Sequence, residues 1–338
     1  MTDQRKPSMF DVAEFCGVSH QTVSRVINGH PNVSEKTRAK VLKAIEKLGY
    51  TQNLSARALA TGRSGAIGVL TLDSPLFGPT SMLHSIQVAA RARGYRVVLA
   101  SIAEITNQAL AEGILELQNV NVDGIVVIAP RSATTDQPLT IKPRVPVVFR
   151  EGIDTENYSV VDLDQRRAAI KAVELLTELG HREIAHIAGP KDWLVAERRR
   201  DGWLDALKAV KAKPASEVRG DWSPDSGYRA AKTLLGKGGG FTAIFCANDA
   251  MAFGALTALR DAGIQVPQQV SVLGFDNAAE SAYAVPPLTT VEQDFDEVGR
   301  ELIEQLLRQV DGEAQNVRKV MLTTKLVERA STAAAPIR

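Results

Sequence analysis

A short polar helix face near the N-terminus holds side chains of the types that recognise DNA bases. The helix is predicted from His20 to Asn28, and helical spacing places five residues on one face: His20, Gln21, Ser24, Arg25 and Asn28. Gln pairs with adenine and Arg with guanine through two hydrogen bonds each, and His or Ser reaches base edges or phosphates. The face therefore favours insertion into a major groove, although the solvated side of a small helical bundle is the alternative.

A second group of polar side chains follows predicted strands in the rest of the chain. Strands end at Phe149-Arg150-Glu151, Ala247-Asn248-Asp249 and Gly274-Phe275-Asp276, and nearby loops hold Trp193, Arg198-Arg199-Arg200 and Trp222. Open α/β sheets bind ligands beyond the carboxyl ends of their strands. Carboxylates, an amide and Arg can bind sugar hydroxyls, while Trp faces pack on the sugar ring. Each residue alone also fits a helix cap or a surface charge, so the prediction of a pocket depends on their convergence.

Three short helices are predicted to position the first face. Ser8 is suited to cap the first helix, with Asp11 completing a capping box. Gly17-Val18-Ser19 separates the first helix from the second, and Ser34 caps the third. Two short helices joined by a three-residue turn with Gly, and braced by a third helix, are typical of a helix-turn-helix.

The segment after Tyr50 is predicted to be a hinge. Asn53 is suited to begin a short helix and Gly62 to end it, but an isolated helix needs about 12–15 residues to be stable in water. Arg57 and Leu59 on such a helix would suit a minor groove, where a leucine wedge unstacks a base step. A plain linker fits the spacing equally well.

Alternating strands and helices are predicted from Ala66 onward. Short runs that are apolar throughout are typical of strands buried on both faces of a parallel sheet. Such runs lie at Ala66–Leu72, Arg96–Ile102, Gly124–Ala129, Val145–Phe149, Ile184–Ala188, Thr242–Ala247 and Val270–Phe275. Amphipathic helices are predicted at Ser81–Arg93, Thr106–Asn119, Asp164–Gly180, Ala196–Lys211, Pro224–Leu235 and Asp249–Ala262. Two last strands, Leu288–Gln293 and Val320–Val327, flank a helix at Asp296–Val310 and are expected to return to the first of two similar lobes.

Charge is distributed unevenly along the chain. The formal net charge is +1, yet residues 1–64 contain ten Lys and Arg against five acids, so the remaining residues carry −4. A basic head on a mildly acidic body predicts a polyanionic partner for the head.

Several protein classes are disfavoured by the sequence. Cys16 and Cys246 are too few for a disulfide scaffold or a cysteine-based zinc site. The sequence has no long apolar run and no secretory signal, so we expect a cytoplasmic protein without a membrane span. Phosphate-loop, dinucleotide, nucleophile-elbow and zinc-protease motifs are lacking, so we expect neither an enzyme nor a cofactor nor a metal. His181 and His186 are expected to be structural residues at a helix end and in a strand.

The sequence resembles the lactose/galactose repressor family over nearly its whole length. In the head the resemblance covers Asp11-Val12-Ala13, Gly17-Val18-Ser19, Thr22 to Asn28, and Val33-Ser34 to Gly49-Tyr50. In the body it covers Leu179-Gly180-His181, Gly220-Asp221-Trp222-Ser223, Ala247-Asn248-Asp249, Gly274-Phe275-Asp276 and Pro286 to Val291. It implies an all-α helix-turn-helix head and an α/β body of two Rossmann-like lobes, the periplasmic sugar-binding protein type 1 fold.

The resemblance also implies roles for individual residues of the head. His20, Gln21 and Arg25 match base contacts, while Thr22, Ser24 and Asn28 match phosphate or supporting contacts. Leu59 matches a leucine that the family inserts at the centre of its operator, which favours the hinge over a plain linker.

In the body, the resemblance implies a sugar pocket. Residues matching those that hold sugar hydroxyls are Arg199, Asn248 and Asp276, and the expected ring-packing, polar and wall residues are Trp222, Phe295, Gln293, Leu76 and Pro79. Glu151 stands where the pattern has Asp, with Arg150 before it, and Trp193 and Val195 replace two serines. The Gly-Asp-Trp-Ser stretch favours a galactoside-like ligand, while these changes could admit a different or larger sugar.

The predicted organisation is a DNA-binding domain at 1–50, a hinge at 51–64 and an effector-binding and dimerisation domain at 65–338. The first lobe is expected at about 65–162 and 291–328 and the second at about 163–290. Since the chain ends at Ile337-Arg338 without a leucine heptad, we expect a homodimer.

The function implied is a transcriptional repressor that a sugar releases from a near-palindromic operator. A different sugar or a corepressor remains an alternative, as do a sugar-transport protein and an enzyme that uses Asp276 or Glu151.

Overall fold

The computed structural model describes residues 7–27, 29–51, 62–128, 142–151, 157–191, 193–238, 240–313 and 317–337. The chain divides into two compact units, a head at Met1–Ser64 and a body at Gly65–Arg338. Among these described residues no helix combines the length and the apolar character needed to cross a membrane.

The head is a three-helix unit around one small apolar core. Its helices are α1 (Met9–Cys16), α2 (His20–Ile27) and α3 (Glu35–Leu48), and all three contribute buried side chains. The predicted capping box of Ser8 and Asp11 begins α1. The helix-turn-helix predicted from the glycine-containing turn is therefore present. The predicted last residue of α2, Asn28, lies outside the described residues.

The body contains two six-stranded sheets flanked by helices. The strands are β1 (Ala66–Leu72), β2 (Arg96–Ile102), β3 (Gly124–Ile128), β4 (Val147–Phe149), β5 (Ser159–Leu163), β6 (Ile184–Ala188), β7 (Glu217–Arg219), β8 (Ala243–Cys246), β9 (Ser271–Asp276), β10 (Thr289–Glu292), β11 (Lys319–Leu322) and β12 (Lys325–Val327). The helices are α4 (Phe77–Ala92), α5 (Asn107–Asn119), α6 (Gln165–Glu178), α7 (Leu194–Ala209), α8 (Pro224–Gly236), α9 (Asp249–Asp261) and α10 (Phe295–Val310), with a 3₁₀ turn at Ala279–Ala282.

Each sheet is the centre of one lobe. The first sheet has the order β11-β5-β4-β3-β1-β2 and is parallel throughout. The second has the order β12-β10-β9-β8-β6-β7 and is parallel except for the antiparallel pair of β10 and β12. The carboxyl ends of the parallel strands therefore gather at one edge of each sheet, as ligand sites in such folds require.

The expected return of the last segments to the first lobe is partly wrong. Strand β10 pairs in register with β9, and β12 pairs with β10, so both belong to the second sheet. Helix α10 packs in the core of the first lobe, and β11 pairs with β5. Within the described residues the chain thus crosses between lobes three times, after β5, after β10 and between β11 and β12. A short apolar strand can pair in either sheet, so the hydrophobic pattern alone does not predict to which sheet it belongs.

Several elements differ from the pattern-based prediction. The single strand predicted at Val320–Val327 is two strands, β11 and β12, in different sheets. Strand β5 was missed because Asp162 interrupts its apolar run, and β7 is a three-residue edge strand. Helix α4 begins at Phe77 and not at Ser81. Pro79 is tolerated there because the first turn of a helix has backbone N–H groups without helical partners.

The two histidines of the second lobe are structural, as expected. The His181 ring lies after α6 and contacts Thr242 Oγ1 at 2.9 Å, Ser271 Oγ at 3.1 Å and the Ala333 carbonyl at 3.0 Å. His186 lies in β6, and its Nδ1 donates to the Phe245 carbonyl at 2.8 Å. These contacts connect neighbouring segments of the second lobe, and neither histidine is among the residues that line the cleft described below.

Candidate functional sites

Helix α2 of the head presents a polar face on an apolar base. Val23 and Val26 are buried beneath it, while His20, Gln21 and Arg25 are exposed. An element with this division of side chains can enter a groove without losing core contacts.

The start of α2 is fixed by two local contacts. The backbone N–H of Thr22 donates to Ser19 Oγ at 3.1 Å, and the hydroxyls of these residues lie 2.9 Å apart. Phe10 of α1 stacks on the His20 ring with centroids 4.5 Å apart and an interplanar angle of 20°. Ser24 is partly buried. The predicted contacts Asn28, Arg57 and Leu59 lie outside the described residues.

The body contains a cleft of about 660 Å³, including its open mouth. All ten predicted effector residues line it: Leu76, Pro79, Glu151, Trp193, Arg199, Trp222, Asn248, Asp276, Gln293 and Phe295. The wall also includes Phe77, Gly78, Met82, Ile128, Arg150 and Val195.

Both lobes and one crossing between them supply the cleft. Residues at the start of α4 and after β4 come from the first lobe. Residues of α7 and β9, with the residue that caps α9, come from the second. Gln293 and Phe295 lie on the segment that leads from β10 to α10. An occupant of the cleft would therefore contact both lobes and a connection between them.

Asp276 and Arg199 form a buried polar pair of the cleft. Arg199 Nη1 lies 3.6 Å from Asp276 Oδ1, and both side chains are less than a tenth exposed. Arg199 also donates to the Ala247 carbonyl and stacks on Phe275, with Cζ 3.8 Å from the ring centroid. Burial raises the pKa of Asp276 to about 7, although the positive charge of Arg199 opposes the shift.

Two buried glutamine side chains complete a ring with this pair. Gln293 Nε2 donates to Asp276 Oδ1 at 2.6 Å. Gln165 Nε2 donates to Gln293 Oε1 at 2.9 Å, and Arg199 Nε donates to Gln165 Oε1 at 2.9 Å. Gln165 was not identified from the sequence, because a polar residue in the first turn of a helix gives no signal of this role.

Asn248 joins the helix end and the aromatic wall. Its Oδ1 caps α9 by accepting from Met251 N at 2.9 Å, and its Nδ2 donates to the Trp222 carbonyl at 3.0 Å. Trp222 and Asp276 both have positive φ, 72° and 117°. Such conformations are costly for residues other than glycine and occur often at functional sites.

Aromatic rings face one another on two sides of the cleft. Trp193 and Trp222 meet edge to face with centroids 5.6 Å apart, and Phe77 and Phe295 do so at 5.9 Å. Trp222 Nε1 is buried without a hydrogen-bond partner among the described residues. The cleft thus combines flat apolar faces with a few hydrogen-bonding groups, which is the usual composition of a small-molecule site.

The first lobe contributes a second carboxylate. Glu151 Oε1 lies 3.4 Å from Arg150 Nη1, while its Oε2 is buried and has no hydrogen-bond partner among the described residues. Burial raises the pKa of Glu151, and the positive charge of Arg150 opposes this. Arg150 also pairs with Asp162, which was not identified from the sequence because it lies inside a buried strand.

Comparison with known proteins shows the class to which this head and body belong. Residues 8–53 match the model "Bacterial regulatory proteins, lacI family", and residues 173–332 match the model of a periplasmic binding protein-like domain. The chain is 34% identical to the lactose operon repressor of Escherichia coli (strain K12) over 97% of this chain and 91% of that protein.

Solved structures agree with this assignment. A lac repressor dimer bound to operator and the anti-inducer ONPF is 34% identical, with a TM-score of 0.86, over 98% of this chain and 100% of that one. A complex of the transcriptional regulator CelR with cellobiose is 32% identical, with a TM-score of 0.71, over 96% and 99%.

The chain belongs to the lacI family of bacterial regulatory proteins. The fold class predicted from the sequence, a helix-turn-helix head and a two-lobed periplasmic-binding-like body, is confirmed. The function class, a sugar-responsive DNA-binding transcriptional repressor, is confirmed at the level of the family. The relatives are transcriptional regulators and not enzymes.

Proposed function

We propose that the protein is a homodimeric repressor that leaves a near-palindromic operator when an uncharged sugar occupies the cleft. The observation that supports this most is the pairing of hydrogen-bonding groups with aromatic faces in one cleft between lobes. An occupant that binds one arrangement of the lobes better than another shifts the population towards that arrangement.

The charges of the cleft favour a neutral ligand. Arg150 lies 3.4 Å from Glu151, and Arg199 lies 3.6 Å from Asp276, so each cation has an anion beside it. A charged ligand would have to displace one member of a buried pair, which is costly.

Two classes of sugar are candidates for the ligand, a galactoside and a β-linked disaccharide. The Gly-Asp-Trp-Ser stretch at 220–223 favours a galactoside-like ligand. Trp193, packed against Trp222, extends the aromatic surface and favours a β-linked disaccharide, and a CelR relative was solved with cellobiose. If the ligand is a galactoside, methyl β-galactoside should stabilise the protein at a lower concentration than cellobiose. The reverse order would favour a β-linked disaccharide.

A thermal-shift screen of mono- and disaccharides, with and without operator DNA, tests the function. The active sugar should raise the Tm of the free protein and weaken its operator binding, since the coupling is reciprocal. Tighter operator binding would instead make the sugar a corepressor. Asp276→Asn should abolish the sugar response, whereas Asp201→Asn, the same change at an exposed residue of α7, should preserve it.

The homodimer and the lack of enzymatic activity are tested separately. Light scattering should give a mass near two subunits, and a mass near four would contradict the proposal. Nitrophenyl glycosides should not be hydrolysed, although Asp276 and Glu151 are a pair of carboxylates with raised pKa values. Turnover that Asp276→Asn removes would favour an enzyme.

A further inference from the structure

Gln165 lies behind the wall of the cleft and not in it. It is the first residue of α6 and is 1% exposed. Its side-chain amide forms hydrogen bonds with two cleft residues, Arg199 and Gln293. We propose that Gln165 is a positioning residue that fixes the hydrogen-bond polarity of this ring, so that Asp276 meets a ligand hydroxyl as an acceptor. The ligand part of this inference rests on the proposed function, whereas the ring itself does not.

The polarity follows from one end of the ring. Arg199 Nε–H can only donate, so the Gln165 atom facing it is the carbonyl oxygen. The Gln165 NH₂ group therefore faces Gln293, whose own oxygen must accept. This turns the Gln293 NH₂ group towards Asp276 Oδ1, which accepts a hydrogen bond from it. One guanidinium thus orients two amides that could otherwise each be reversed.

Burial makes the orientation strict. Gln165, Gln293, Arg199 and Asp276 are all at most 8% exposed, and a reversed amide would bring two donors together where water cannot separate them. Both contacts to Asp276, from Gln293 at 2.6 Å and from Arg199 at 3.6 Å, go to Oδ1. Oδ2 is the oxygen left to accept from a ligand.

The charges around Asp276 compete over its proton. Arg199 on α7 and the Gln293 hydrogen bond favour the carboxylate, whereas burial and the like charge of Asp249 on α9 favour the protonated acid. From the first lobe, Glu151 and Arg150 act on Arg199 with opposite signs. Because the pKa of Asp276 lies at about 7, its acid and carboxylate forms coexist near neutral pH, and the loss of one hydrogen bond to the carboxylate would shift this balance towards the acid.

Titration of Asp276 in the sugar-free protein tests the ring. A carboxyl group whose pKa rises from 3.8 to about 7 on folding contributes stability at low pH that is lost as the pH rises through that window. The difference in Tm between a protein and its own Asp276→Asn variant, followed from pH 4 to pH 9, therefore reports the midpoint. Wild type, Gln165→Met, Gln293→Met and the double variant are compared, with Gln268→Met at an exposed loop residue as the control.

Each single variant should move the midpoint upward by about one pH unit, the order expected for a hydrogen bond to a charged group. The double variant should move it no further, because Gln165 acts through Gln293. An unchanged midpoint in Gln165→Met, or additive shifts in the double variant, would overturn the inference. Gln165→Leu removes the same amide without adding a charge, so it should also raise the midpoint if Gln165→Met does not fold.

Cellobiose and methyl β-galactoside then test the consequence for binding. Whichever of them stabilises the wild type should lose more affinity for Gln165→Met at pH 6.5 than at pH 8.5, since protonated Asp276 is the poorer acceptor. Equal losses at both pH values would make Gln165 a packing residue only. If neither sugar binds the wild type while the midpoints shift as expected, the ring stands and the proposed function fails.

Discussion

The Nη1 atom of Arg198 in α7 is 2.6 Å from Oδ2 of Asp162 in β5, and this ion pair joins the second lobe to the first. Asp162 is 3% exposed and holds Arg150 through its other oxygen at 3.1 Å. Arg150 in turn lies beside Glu151 at the wall of the cleft. A chain of alternating charges therefore runs from the contact between lobes to the candidate ligand site.

Arg198→Ala should weaken sugar binding by disturbing this contact between lobes. The change removes one of the two ion-pair partners of Asp162. A partly exposed pair of this kind is worth about 1 kcal/mol, or roughly a fivefold change in affinity. Isothermal titration with the sugar identified by the screen measures it. Arg166→Ala is the matched control, because Arg166 pairs with Asp205 at 2.6 Å within the second lobe. Equal effects of the two changes would show that the pair between lobes has no special role.

Arg25→Ala should cost about 1–3 kcal/mol of operator binding and relax sequence preference, as expected for a base contact. Arg25 is exposed on α2, so the change should leave the melting of the protein unaltered. Electrophoretic shifts on operator and on random DNA measure the difference. If both DNAs lose the same affinity, Arg25 contacts phosphate and not bases.

Phe10→Ala should reduce discrimination between operator and random DNA. Phe10 stacks on His20, and an aromatic pair of this geometry contributes about 0.5–1.5 kcal/mol to holding the ring in place. Phe15→Ala is the control, because Phe15 is also exposed on α1 but lies under Lys47 and not beside α2. The idea fails if the two variants discriminate equally well.

His186 should make the body less stable as the pH falls from about 6.5 towards 3. Burial lowers its pKa from 6.5 to about 3, so the unfolded chain binds a proton in this window and the folded protein does not. His186→Phe should flatten the acid limb of stability against pH, whatever its effect at pH 8. An unchanged slope between wild type and variant, measured by urea unfolding, would contradict this.

Gly254→Ala should destabilise the second lobe by about 1–3 kcal/mol or more, since an added Cβ would overlap the Pro224 carbonyl where α8 and α9 pack. Gly236→Ala, at the end of α8 with open space around it, is the control and should be neutral or slightly stabilising. Thermal unfolding measures both. A Gly254→Ala protein as stable as wild type would mean that α8 and α9 pack less closely than described.

The pattern of apolar residues predicted most helices and strands, because the burial of each element determines that pattern locally. Strands such as β1, β2 and β6 coincide with their apolar runs, and the caps of the head follow from Ser8, Ser19 and Ser34. The allocation of β10 and β12 to the second sheet was not predictable, because pairing between strands distant in sequence depends on the whole fold.

The residues of the candidate site also divide into those that local sequence identifies and those that depend on distant contacts. Its predicted residues could be identified from strand ends and family motifs, and they line one cleft. Their roles in binding stay predictions. Gln165 and Asp162 were missed because their importance comes from contacts with residues 128 and 36 positions away, Gln293 and Arg198. Such long-range hydrogen bonds leave no local trace in the sequence.

The crossing from β10 to α10 contains Gln293 and Phe295, both of which line the cleft. These two residues therefore belong both to the candidate ligand site and to one of the three connections between the lobes. Substitutions at Gln293 or Phe295 that alter ligand preference should therefore also alter the strength of the regulatory response.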